Sequence, residues 1–207
     1  MYGTHDQSDA ARPSAWARER FGSRAGALAA AVPARLDKAH RRAQAAHLAV
    51  GLKKAGPYGD SLLKAAREEL AEEALQLGGD ARDLLGRPYP ILNDHALFPF
   101  RYADHPMPLE RARLKQAPTP HRRRLFTAHG PAEQEALFPM DDSLSTEAYD
   151  QLHAAFEQLG EVTKLVSVFF TSDVENGIHT IHWGDARLEP DRTFSWAYRE
   201  TLLPFMG

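Results

Sequence analysis

The segment GIHTIHWGDARL, Gly177 to Leu188, sets two histidines, a tryptophan and an aspartate into a run that otherwise alternates like a β-strand. Imidazole nitrogens and carboxylates are common ligands of transition metals and common partners in proton transfer. Strand geometry limits what these residues can do together. Successive side chains point to opposite faces, so His179 shares a face with Ile181, Trp183 and Asp185, and His182 falls opposite with Ile178, Thr180, Ala186 and Leu188. From a regular strand the two histidines cannot chelate one ion; only a bulge at Gly184 or a neighbour would bring them together. His179 and Asp185 share a face but lie six residues apart, roughly 20 Å at about 3.3 Å per residue. A three-residue centre within the strand is therefore excluded, and neither a metal nor a cofactor is expected. Each histidine can serve only a site shared with other strands.

A second chemical feature is Glu200. In FSWAYRETL, period-two spacing puts Phe194, Trp196, Tyr198 and Leu202 on one face, and Glu200 falls on the same face. A carboxylate among aromatic rings must be paired, hydrogen-bonded, protonated or at a strand end in contact with water. Protonation near neutral pH would suit a general acid or base; a strand ending near Arg199 would leave the group solvated. Arg101 follows NDHALFPF and lies opposite the aromatic face formed by Phe98, Phe100 and Tyr102. Its guanidinium fork suits a phosphate or carboxylate, or an internal pair with Asp94 or Asp104. Glu200, His179 and Arg101 are the candidate catalytic residues of a small hydrolase or lyase, with His182 and Asp94 as further members if the fold gathers them.

A third feature is basic. Arg111 to Arg124, RARLKQAPTPHRRR, carries six Lys/Arg and no acidic residue. With Arg35, Lys38, Arg41, Arg42, Lys53 and Lys54 it offers cations that could follow a phosphate backbone. The expected contacts to DNA or RNA are Arg35, Lys38, Arg41, Arg42, Arg111, Arg113, Lys115, Arg122, Arg123 and Arg124. No helix-turn-helix, zinc-finger or RNA-recognition signature accompanies them, and Arg122 to Arg124 could instead pair with acidic residues of the C-terminal half. The helical run REELAEEA places Glu68/Glu72 and Glu69/Glu73 at i,i+4, which suits either a solvated face or, with a third oxygen, Mg²⁺. Phosphate-loop, dinucleotide, zinc-protease and nucleophile-elbow patterns do not occur.

The elements that must position these groups follow from periodicity and caps. Residues 1–14 lack periodicity and read as a disordered tail. A short helix follows Ser14 and stops at Gly22. ARLDKAHRRAQAAHLAVGLKKAG is a helix with Leu36, Ala39, Ala43, Ala46 and Val50 on one side, ended by Gly56–Pro57. Asp60 caps the next, SLLKAAREELAEEALQL, whose buried stripe is Leu62/Leu63, Ala66, Leu70, Ala74 and Leu77. A helical turn is expected over Ala81–Leu85. ALFPFRY is a strand, with Pro99 pushing it to an edge or a bulge. Residues 104–121 are a proline-rich excursion with a helical turn at Leu109–Lys115, RRRLFTAHG is a short strand, PAEQEALFPMDDSLS is loop, and TEAYDQLHAAFEQLG is a helix. TKLVSVFFTS, GIHTIHWGDARL and FSWAYRETLL, joined at Asn176–Gly177 and Pro190–Asp191, form a three-stranded antiparallel meander.

The fold class is thus α+β: a helical N-terminal half (15–86) followed by an antiparallel sheet region (87–207) ending in a β-meander, the two packed as one domain. The 207 residues, 43% hydrophobic and 26% charged, suit such a domain. Cysteine is absent, which excludes disulfides and thiolate metal sites and suits the cytoplasm. No run approaches the ~20 apolar residues of a membrane helix. The net charge of −3 divides into +6 over residues 1–56, +1 over 57–129 and −10 over 130–207. Three classes of function follow. One is a cytoplasmic, bacterial-type protein associated with nucleic acid. The second is an interaction or structural subunit, meeting a protein partner or its own copy through the helical half. The third is a small hydrolase or lyase working on the C-terminal sheet.

Overall fold

The computed structural model describes residues 13–51, 56–84, 86–115, 117–130 and 163–204. The expected tail up to residue 12, Lys53 and Lys54, the loop PAEQEALFPMDDSLS and the helix TEAYDQLHAAFEQLG lie outside the described residues.

Three helices open the chain. Ser14 caps α1 (Ala15–Phe21), its hydroxyl accepting the Ala17 N–H at 3.1 Å, and Gly22 ends the helix. A 3₁₀ turn leads into α2 (Ala25–Val50), closed by Gly51 in the left-handed conformation. Its buried side is Leu28, Val32, Leu36, Ala39 and Ala43; Ala46 and Val50, expected on the same stripe, are exposed. The helix α3 (Gly56–Gln76) begins before Asp60. Gly56–Pro57 therefore opens α3 instead of ending α2, since a first-turn proline lacks only an N–H that has no helical partner there.

Among the described residues six strands follow and lie in sequence order: β1 (Asp80–Asp83), β2 (Pro88–Leu92), β3 (His95–Ala103), β4 (Lys164–Asp173), β5 (Gly177–Leu188) and β6 (Phe194–Leu203). The fold is α+β, and β4–β6 form the antiparallel meander. The sheet is not antiparallel throughout, because β3 and β4 run parallel. A parallel pair needs a crossover, and the segment between these strands includes a 3₁₀ turn at Leu109–Arg111 and the helix α4 (Pro120–His129). RRRLFTAH is thus helical, not a strand: Thr119 caps α4, accepting the Arg122 N–H at 3.3 Å, and Pro120 stands at its start. In the expected helical turn Ala81–Leu85, residues Ala81–Asp83 belong to β1 instead, and Leu85 lies outside the described residues. Pro99 sits in a strand with neighbours on both sides, but β2 pairs only with His95 and Ala96, so at Pro99 that flank of β3 holds no ladder partner.

Each face of the sheet covers a separate core. Against α1–α3 pack Val166, Val168, Phe170, Ile181 and Trp183. On the other face Tyr89, Phe98, Phe100 and Phe169 meet Leu125 and Phe126 of α4. Bulges decide which side chain faces which core. His179 is an extra residue in β5 and Ala197 in β6. Ile178 consequently packs towards the helices, not opposite Ile181, and the expected common face of β6 is divided. Phe194 and Trp196 join the second core, while Tyr198 joins the first. Beside this second bulge the strands approach closely: a Cβ at Gly184 would run into the carbonyl oxygen of Tyr198. Among the described residues no helix is long and apolar enough to cross a membrane.

Burial pushes His40, His95 and His182 below the ordinary imidazole range. These rings stay neutral in the folded chain, whereas the unfolded chain takes up protons near pH 6.5. The stability that depends on them is complete above about that pH and is lost as pH falls from there through the folded values. The thermal unfolding midpoint is expected to be lower at pH 5.5 than at pH 7.5 in a scanning-calorimetry series; an equal or higher midpoint at pH 5.5 would contradict the burial of neutral histidines.

Candidate functional site

The three candidate catalytic residues do not form one site. Glu200 pairs with Trp183 across β5 and β6. Its carboxylate accepts the Trp183 indole N–H at 3.0 Å and the Ser14 hydroxyl at 2.7 Å. β6 continues to Leu203, so Glu200 is not left at a solvated strand end. Asp185, on the same face, accepts the Trp16 indole N–H at 2.8 Å and also takes N–H groups of Arg20. The Trp16 ring stacks on Tyr198 at 4.8 Å, and the Arg20 guanidinium lies 4.5 Å above Trp16. These two carboxylates fasten α1 to the sheet.

His179 and Arg101 come together elsewhere, at the end of β4. The Nε2 of His179 lies 2.9 Å from Asp173 Oδ2. Burial works to raise the Asp173 carboxyl, but N–H groups of Asn176 and Glu175 and the nearby His179 outweigh it and hold the group below the carboxylate range. Arg101 donates to the Ser172 hydroxyl at 2.8 Å and to the Ser172 carbonyl at 2.7 Å, and its guanidinium lies 5.4 Å from the Tyr58 ring. Its hydrogen bonds thus go to Ser172, not to Asp94 or Asp104. The Tyr58 hydroxyl donates to the Asp173 carbonyl at 2.9 Å and lies 2.8 Å from His40 Nδ1. Tyr58 is fully buried. The cluster ties the β4–β5 turn to α2 and α3, with its polar atoms spent on one another. His182 is on the far face of β5, 3.0 Å from the Thr201 hydroxyl, so the bulge at His179 does not unite the two histidines.

The basic residues of α2 are also engaged. Arg35 meets Glu73 at 2.7 Å, Glu72 at 3.0 Å and Glu69 at 3.4 Å. Lys38 lies 2.8 Å from Glu69, and Arg42 reaches Glu69 at 2.7 Å and Glu68 at 2.6 Å. Arg41 pairs with Asp37 one turn back at 2.6 Å. Burial works to raise the Glu69 carboxyl, and its bonds to Lys38 and Arg42 outweigh it and hold it low. The α3 glutamates therefore face α2 and form neither a metal centre nor a free acidic surface. Among the described residues no group of three or more His, Cys, Asp or Glu could hold a metal ion. Arg111, Arg113 and Lys115 are exposed, with Lys115 3.9 Å from Asp104. Arg122 and Arg123 are half-buried; the Arg124 side chain lies outside the described residues.

Two concavities lie along β6. One, of about 530 Å³, opens between the Pro106–Glu110 segment and the β5–β6 surface, with Met107, Leu109, His182 and Thr201 on its walls. A second, of about 540 Å³, is lined by Phe194, Trp196, Ala197 and Tyr198. Glu110 and Arg199 border both, joined at 2.6 Å. The Tyr102 hydroxyl donates to the Met107 carbonyl at 3.0 Å and fixes the overhanging segment. A backbone N–H bond and Arg199 hold the Glu110 carboxyl low, while burial and then Arg199 keep His182 neutral. Among the described residues no carboxylate hydrogen-bonds His182 as in a hydrolytic triad; its Nδ1 meets Thr201. β6 is the edge strand of the described sheet: Arg113 bridges Thr193 just before it, and among the described residues Phe194–Leu203 has no ladder partner on its outer flank. Ser195, Ala197, Arg199 and Thr201, in every second position, are exposed. That small-and-polar alternation is the sequence signal that could have pointed here; the wall at Met107 and Leu109 has none.

The structural role of Glu200 is directly checkable. Glu200→Leu leaves the Trp183 indole and the Ser14 hydroxyl without their acceptor and is expected to cost about 1–3 kcal/mol. Glu200→Gln keeps one carbonyl oxygen and is expected to cost less. Urea unfolding followed by tryptophan emission measures both; a Leu variant as stable as the parent would contradict the role.

The chain matches no protein-family model, no curated protein and no solved structure.

Proposed function

We propose that this chain is a protein-interaction module that takes up an extended segment of a partner along β6. The observation that carries this reading is the coincidence of a ten-residue edge strand, without a ladder partner on its outer flank among the described residues, with two hollows beside it. An added strand gains main-chain hydrogen bonds from the edge and selectivity from pockets that receive alternate side chains. Met107 and Leu109 offer apolar contact in the first hollow, and the rings of Phe194 and Trp196 offer it in the second. The Arg199–Glu110 pair between them is a polar checkpoint, and an exposed Arg on an edge also discourages indiscriminate pairing. A segment with apolar side chains flanking a polar one fits this pattern. The lack of cysteine agrees with a cytoplasmic setting.

Contact with DNA or RNA is the second reading, supported by the exposed Arg111, Arg113 and Lys115. It is weakened on α2, where Arg35, Lys38 and Arg42 already hold carboxylates. The enzymatic reading loses its constellation, since Glu200 lies apart from His179 and Arg101.

A random-peptide display selection on the full chain tests the preferred reading. Selected peptides are expected to bind the parent chain and to lose at least tenfold in affinity to Thr201→Trp, which fills the first hollow, while Arg41→Ala leaves them unchanged. Peptides insensitive to Thr201→Trp, or a selection without binders, would overturn it. In a parallel arm, duplex DNA and single-stranded RNA oligonucleotides are expected not to be retained at ~50 mM salt; retention that falls steeply by ~200 mM would favour the second reading.

A further inference from the structure

The first hollow beside β6 carries a charge pattern that narrows what can fill it. Its volume of about 530 Å³ falls within the range of small-molecule pockets, roughly 300–1,000 Å³. Pro106, Met107, Pro108, Leu109 and Pro204 give it apolar walls. The overhanging wall is held in place, because Tyr102 is buried and its hydroxyl donates to the Met107 carbonyl at 3.0 Å. Polar groups of the floor are engaged with the protein itself. The Thr180 hydroxyl lies 2.9 Å from that of Thr171 and 3.3 Å from that of Tyr102, and His182 Nδ1 lies 3.0 Å from the Thr201 hydroxyl.

Among the described residues, the charged groups lining this hollow are one of each sign, Arg199 and Glu110. They touch, with Arg199 Nη1 2.6 Å from Glu110 Oε1. Their side chains are 49% and 62% exposed, so water screens the pair and a ligand can share in it at little cost. A guanidinium carries several N–H donors and a carboxylate two acceptor oxygens, more than this one contact uses. A ligand of single charge would match one of the two groups and be repelled by the other: an anion by Glu110, a cation by Arg199. A zwitterion matches both. When its ammonium and carboxylate stand on the same carbon, their closeness suits two wall charges that are themselves in contact.

We propose that the first hollow binds a free apolar α-amino acid. Its carboxylate meets the Arg199 fork, its ammonium meets Glu110, and its side chain lies against Met107 and Leu109. Apolar walls with a few convergent polar groups are the usual make-up of a small-molecule site. An internal residue of a peptide carries neither of the two head charges. The proposal therefore goes beyond the uptake of a segment along β6 and needs no main-chain pairing there, and either can fail without the other.

Titration of the isotope-labelled full chain with L-leucine, followed by heteronuclear NMR, tests the proposal. Saturable shifts are expected at the amides of Leu109, Glu110, Arg199 and Thr201. Isocaproate lacks the ammonium, isoamylamine the carboxylate and glycine the apolar side chain, and each is expected to bind at least tenfold more weakly than leucine. Arg199→Gln and Glu110→Gln alter exposed side chains, and each is expected to weaken leucine at least fivefold while the spectrum keeps its folded dispersion. No saturable shift with leucine, shifts confined to residues outside the hollow, isocaproate or isoamylamine binding as tightly as leucine, or binding unchanged in folded Arg199→Gln would each overturn the proposal.

Discussion

Two indole N–H groups, on Trp16 and Trp183, find their acceptors in Asp185 and Glu200, and the arrangement of the last two strands follows from those bonds. A buried N–H without an acceptor costs about 1–3 kcal/mol, so tryptophans at these positions need an oxygen from β5 or β6. With that met, Trp16 can stack on Tyr198 and Phe21 on Trp183, at centroid distances of 4.8 Å and 5.5 Å. The helix α1 then covers the helix-facing side of β5–β6. Among the described residues, what remains open on β6 is its outer flank and its other face, where Arg199 and Glu110 divide two hollows. The carboxylates that most invite a catalytic reading are thus the ones that fasten α1 over one face of β5–β6.

A similar logic governs the cations. The front of the chain looks basic as a sequence, but the α2 guanidinium and ammonium groups meet the glutamates of α3 across the helix pair. Such pairs balance the desolvation of a buried group such as Glu69 and contribute modestly where they are exposed. Their consequence is as much negative as positive, because they remove a phosphate-tracking surface that composition alone suggests. The count of arginines in a segment therefore says less than the identity of the group each one faces.

Much of the fold could be read locally. Ser14, Gly22 and the apolar spacing of Leu36, Ala39 and Ala43 mark the first helices, and period-two aromatic residues with Asn176–Gly177 mark the meander. The failures have physical causes. The cap of α4, Thr119–Pro120, is embedded in a proline-rich segment, and ten residues give a short periodic signal. β1 carries no β-branched or aromatic residue and exists through pairing with β2. The bulges at His179 and Ala197 are properties of strand pairing, and each reverses the face predicted by alternation. The sites were still less legible. The first hollow joins the Pro106–Glu110 segment to residues on β5 and β6, so it has no contiguous motif.

The central claim is that α1 seals one face of β6 while the strand's outer flank stays open. Amide hydrogen exchange along Phe194–Leu203 in the free chain measures this most directly. Amides bonded to β5 are predicted to exchange slowly and those on the outer flank quickly, giving an alternating pattern interrupted at Ala197 and at Leu202. Uniformly slow exchange along the whole strand would mean that the edge is already covered, and would contradict the account.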